Sequence, residues 1–102
     1  MPESQPVRLL IHASTPDALQ RARRNAANLL KAEPSAQVEI VVNAGAVAAA
    51  LAQPDATDTY LAVCANTLAA GGLRAPQGLT VVSAAVLHLA RRQQEGWAYI
   101  HA

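Results

Sequence analysis

The side chain best suited to chemistry in this chain is its one cysteine, Cys64, because a thiolate attacks electrophiles and carries sulfur at neutral pH. It ends an apolar run, Tyr60–Cys64, and stands immediately before a helix start. A thiol there faces the partial positive charge of unpaired helix N–H groups, which favours the thiolate. The same residue also reads as a packed small hydrophobe, the usual role of a free cysteine. A single cysteine forms no intrachain disulfide, no CxxC redox pair and no cysteine-rich zinc site.

The other candidates are polar residues near strand ends. His12 would assist a thiolate, by charge or by accepting its proton, if the first and third strands lie side by side; otherwise it is a hydrogen-bonded turn residue. His88 reads as a surface or interface residue of the last helix, and His101 as exposed. The three histidines lack metal-ligand spacing, so no metal is expected, and no cofactor motif is present. Asn66 and Thr67 either cap the following helix or line the rim beside Cys64. Gly45 permits a close backbone approach or an unusual dihedral, and Asn43 precedes it by two residues.

These residues must be held by a regular scaffold. Val7–Ile11, Val38–Val42, Tyr60–Cys64, Leu79–Val82 and Trp97–Ile100 are apolar runs of strand length. A long helix begins at Ser14-Thr15-Pro16-Asp17, where a hydroxyl cap, a first-turn proline and an acid coincide. Its apolar face is Leu19, Ala22, Ala26, Leu29 and Leu30, with Arg23 and Arg24 falling away, and Pro34 ends it. Further helices are expected at Ala46–Ala52, Asn66–Ala70 and Ala84–Glu95, the last capped by Ser83. Segments Pro54–Thr59 and Ala75–Gly78 read as the mobile loops.

Strands alternating with helices imply one α/β domain over residues 1–102, with a five-stranded parallel sheet. In such a sheet all strand C-termini share an edge, where ligand sites form. That edge gathers His12, Ser14, Thr15, Asn43, Gly45, Cys64, Asn66, Thr67 and Ser83, leaving Gln37, Glu39, Asp58 and Gln77 to the opposite rim.

Composition narrows the function classes. With 52% hydrophobic and 15% charged residues in 102, some apolar surface stays uncovered, and a homo-oligomer is expected. A net charge of +1 and three aromatics give neither the electrostatic footprint nor the stacking platform of a nucleic-acid binder. No apolar run approaches the ~18 residues of a membrane span, and MPESQPVR lacks a signal peptide's apolar core, so the expected compartment is the cytoplasm. GxGxxG, Walker and GxSxG motifs are absent.

The stretch Val63-Cys64-Ala65-Asn66-Thr67-Leu68, preceded by VEIVV with a following glycine, resembles the DsrE/DsrF-like (YchN-like) proteins. The tail, Val81–Val86 followed by Gln94-Glu95-Gly96-Trp97-Ala98-Tyr99-Ile100, is similar as well. The resemblance implies a three-layer α/β/α domain, assembly into homotrimers or homohexamers, and no cofactor. It also implies a sulfur-relay role, with Cys64 carrying a persulfide between donor and acceptor proteins, and is nearest the uncharacterised single-protein branch. Many relatives have histidine where Asn43 stands, so one acid/base group is missing; His12, Asn43, Gly45, Asn66 and Thr67 are then binding or access residues. The alternative is a small-molecule-binding or purely structural oligomeric module with an unreactive cysteine.

Overall fold

The protein is described by a computed structural model covering residues 5–102; residues 1–4, part of the segment read for a leader, lie outside it. The chain runs β1 (Arg8–Ala13), α1 (Pro16–Ala32), β2 (Gln37–Val42), α2 (Gly45–Ala52), a 3-10 turn (Ala56–Tyr60), β3 (Leu61–Cys64), α3 (Ala65–Gly71), β4 (Thr80–Val82), α4 (Ala85–Gln94) and β5 (Ala98–His101). The five strands form one all-parallel sheet in the order β4-β3-β2-β1-β5, flanked by four helices.

Each element follows from local chemistry. Thr15 caps α1, its hydroxyl accepting from the Ala18 amide at 3.0 Å, with Pro16 at the first helical position. Helix α3 ends on Gly72, whose φ of +63° is the left-handed conformation that suits glycine. The central strand β2 is nearly continuous in apolar residues because both faces are covered: Val38, Ile40, Val41 and Val42 are all buried.

Strand alternation sends two sets of side chains to opposite faces. Ile11, Ala13, Val38, Ile40, Val42, Leu61 and Val63 pack with Leu19, Ala22, Ala26, Val47 and Leu68, so α1, α2 and α3 share one face. Leu10, Val41, Ala62 and Cys64 pack with Ala85 and Leu89 of α4 alone. Right-handed crossovers explain the division: β1 to β4 advance across the sheet in one direction, and the connection from β4 to β5 runs back across it.

Several local expectations are corrected. Tyr60 belongs to the 3-10 turn rather than β3, and the Pro54–Thr59 segment is ordered there by Asp55, which accepts from the Thr57 amide at 2.9 Å, while Asp58 accepts from the Asp55 amide at 3.1 Å. Ser83 does not cap α4; Ala84 holds that position without a side-chain bond. Arg23 does not fall away from the core side. It is 6% exposed, donating to the Gln53 carbonyl at 2.7 Å and pairing with Asp58 at 3.1 Å, so Asp58 is not merely a solvated rim residue.

Glu39 likewise lies on the α4 side of β2 rather than in a solvated turn. Its carboxylate meets His88 Nε2 at 2.7 Å and Arg92 Nη2 at 2.8 Å, so His88 is also not a plain surface residue. Arg92 further pairs with Glu95 and lies 5.0 Å from the Trp97 ring centroid, with Arg8 5.9 Å from the same ring. These contacts fasten the middle and end of α4 to β2 and to the start of β5.

Partial burial pushes the Glu39 carboxyl up, but bonds from Arg92 and His88 outweigh it and hold its pKa below the ordinary 4.5. Its stabilising contribution is therefore complete above about pH 4.5 and is lost as the pH falls through the lower folded value. Glu39→Gln is expected to cost about 1 kcal/mol at pH 7, after allowing for solvent screening. The difference from wild type should shrink towards pH 3 in urea unfolding curves; an unchanged difference would mean that the ion pairs do not hold α4.

Candidate functional site

The C-terminal edge of the sheet carries two clusters, both on the α4 side. One is built on Cys64. Chain leaving β3 enters α3 on one face, whereas chain leaving β4 enters α4 on the other. The crevice between such diverging connections is where open α/β sheets bind ligands. Cys64 stands there, paired in register with Val82 of β4, and is 6% exposed.

The first amide of α4, Ala85 N, donates to Cys64 Sγ at 3.4 Å. Burial pushes the thiol pKa up, but that amide, the Thr67 amide and hydroxyl, and the Asn66 amide outweigh it, leaving the pKa below the ordinary 9.0. Cys64 is also the N-cap residue of α3, where its side chain makes no full capping hydrogen bond. The α4 amide is thus the main hydrogen-bond partner of the sulfur, and the first groups of α3 add to it.

The Thr67 hydroxyl also accepts from the Ala44 amide at 3.1 Å, joining the start of α3 to the turn after β2. Asn66 is exposed beside it, and neither residue caps α3. The unusual dihedral falls on Ala44, at φ +48° and ψ −138°, and not on Gly45. A Cβ on Gly45 would meet Pro16 Cδ at 3.4 Å, ordinary contact. Gly45 is the first residue of α2 and needs neither the unusual dihedral nor the close approach that glycine permits.

The second cluster centres on His12, which lies within β1 rather than in the loop after it. Its Nδ1 is 2.8 Å from the Tyr99 hydroxyl, its Nε2 3.1 Å from Asn43 Oδ1, and Ser14 Oγ is 3.4 Å from Nε2. Burial, and to a smaller extent His101, lower the His12 pKa below 6.5, opposed by the Asn43 bond. The neutral ring is thus favoured, and in that form its partners assign the tautomer: Nε2–H donates to Asn43, and Nδ1 accepts from Tyr99. Ring centroids of His101 and Tyr99 lie 5.0 and 5.9 Å from that of His12.

His12 and Cys64 share a sheet face but not a site. Strand β2 lies between β1 and β3, a separation of about 10 Å at normal strand spacing. His12 is therefore not the base of the thiol. Sequence reasoning missed Tyr99 and Ala85, since one acts through an edge strand distant in sequence and the other through a backbone amide. Among the described residues no group of three or more His, Cys, Asp or Glu is placed to hold a metal ion. No described helix is long and apolar enough to cross a membrane.

This arrangement defines a class, an all-parallel α/β protein with a buried thiol between two helix starts. Among solved structures the chain is similar to MTH1491 of Methanobacterium thermoautotrophicum, a protein of unknown function. The two share 28% identity over 94% of this chain and 99% of that one, with a TM-score of 0.79. No protein-family model and no curated protein matches the chain.

Two variants check the local physics. Ala85→Pro deletes the amide facing Sγ at the first helical position, where proline is tolerated and where Ala84 is already extended. The Cys64 pKa, followed by the ultraviolet absorbance of the thiolate, should rise; no change would mean that the Ala85 amide does not stabilise the thiolate. Ala44→Gly relieves a conformation costing on the order of 1–3 kcal/mol against glycine's own entropy cost, and should raise unfolding free energy by about 1 kcal/mol.

Proposed function

We propose that the protein is a sulfur-relay carrier in which Cys64 holds a persulfide. The observation that carries the reading is the Ala85 amide 3.4 Å from Sγ at the crevice between β3 and β4, with the thiol pKa lowered although the residue is buried. The resemblance of Cys64–Leu68 to the DsrE/DsrF-like proteins supports it.

In the reaction, the Cys64 thiolate attacks the outer sulfur of a donor persulfide. A new S–S bond forms on Cys64, the donor's S–S bond breaks, and the donor leaves as thiolate. An acceptor thiolate then attacks the outer sulfur and releases Cys64 as thiolate. Sulfane sulfur moves without net oxidation, so no cofactor is required. Amides that favour the thiolate also favour it as the leaving group in the second step.

The carrier works as a homotrimer or homohexamer in the cytoplasm, between a donor and an acceptor protein. Self-association is supported by exposed apolar side chains of the two edge strands, Val81 at 46% and Ile100 at 40% exposure.

Intact mass after incubation with glutathione persulfide tests the reading. Wild type should gain about 32 Da, one sulfur atom per chain, reversed by a reducing thiol. Cys64→Ser should gain nothing. Absence of the gain in wild type, or its survival in the serine variant, would overturn the proposal.

A further inference from the structure

Five strands span about 20 Å across the sheet, whereas a helix with its side chains covers about 10 Å. Helix α4 packs on β2 and β3, so the α4 face over β1 and β5 is left without a described helix above it. The result is a cavity of about 370 Å³ between α4 and the His12 cluster. Its far wall is apolar, formed by Val86, Leu89 and Ala90. Its near wall is His12, Asn43 and Tyr99, with Gln93 at the helix side. Among the described residues no Lys, Arg, Asp or Glu lines it.

The hydrogen bonds already made determine what the polar wall has left to offer. Asn43 uses Oδ1 on His12, so its NH2 group remains a donor. Tyr99 uses its proton on His12, so its oxygen remains an acceptor. Gln93 donates through Nε2 to the Leu89 carbonyl at 3.1 Å, leaving Oε1 as a second acceptor. The wall thus presents two amide donors, the Asn43 NH2 and the second Nε2–H of Gln93, and two acceptors, the Tyr99 and Gln93 oxygens, with the grouped rings of His12, Tyr99 and His101 beside them.

We propose that this cavity binds a small, planar, uncharged molecule bearing a carboxamide or lactam edge. The ligand carbonyl accepts from Asn43, its N–H donates to Tyr99 or Gln93, and its ring lies against Val86, Leu89 and Ala90. A carboxylate ligand finds no cation to pair with among the lining residues and would leave Tyr99 and Gln93 without a donor. The site is independent of the thiol, which does not line the cavity.

Benzamide and benzoate, alike in shape and different in charge, are the probes. Titration of the full-length, nitrogen-15-labelled protein at pH 7.5 should give saturable shifts with benzamide at Asn43, Leu89, Ala90, Gln93 and Tyr99. A Kd on the order of 1–10 mM is expected for so small a ligand. Benzoate should not saturate. Asn43→Ala should weaken benzamide about tenfold, and Ala90→Leu, on the exposed side of α4, should abolish binding by filling the cavity. Shifts elsewhere, equal binding of benzoate, or benzamide binding unchanged in Ala90→Leu would overturn the proposal.

Discussion

The broad sheet face that only α4 covers governs most of what is distinctive here. The order β4-β3-β2-β1-β5 requires one connection to run back across the sheet, and right-handed chirality places that connection on the face the other helices leave free. One helix is too narrow for five strands. Its N-terminus therefore closes over the end of β3, and its flank becomes the wall of an open hollow over β1 and β5.

The placement of α4 in turn depends on polar contacts more than on its small apolar seam. Ala85 and Leu89 are its buried residues, a short seam for a helix of this length. Glu39 supplements them by holding His88 and Arg92, while the guanidinium groups of Arg92 and Arg8 both approach the Trp97 ring. A carboxylate in the sheet face would be costly if unpaired; with two donors it becomes a locator for the helix. A shift of α4 would carry the Ala85 amide away from Cys64 Sγ, so the ion pairs near one end of the helix and the thiol at the other are mechanically linked.

The two rim clusters have opposite electrostatic characters. Around Cys64, backbone amides overcome burial and favour the charged form of the thiol. Around His12, burial favours the neutral form, and the single ring proton is already committed to Asn43. The first environment suits nucleophilic sulfur, and the second suits recognition by directed hydrogen bonds. Strand β2 separates them, which keeps the imidazole from serving as the thiol's base.

The alternation of apolar runs and helix signals determined the α/β class, the parallel sheet and the placing of Cys64 on its C-terminal edge. Those features follow from local rules: strand periodicity, the Thr15-Pro16 cap and Gly72 as a helix stop each act within a few residues. Tertiary structure alone decided strand order, and with it everything that depends on neighbours distant in sequence. His12 meets Tyr99 from 87 positions away, Glu39 meets Arg92 from 53, and Cys64 meets the Ala85 amide from 21. A backbone N–H has no signature in the sequence, and charged residues such as Glu39 and Arg23 look solvated until a partner is brought to them. The identity of the candidate nucleophilic atom was thus written in the chain, whereas its electrostatic setting came from the helix that crosses back over the sheet.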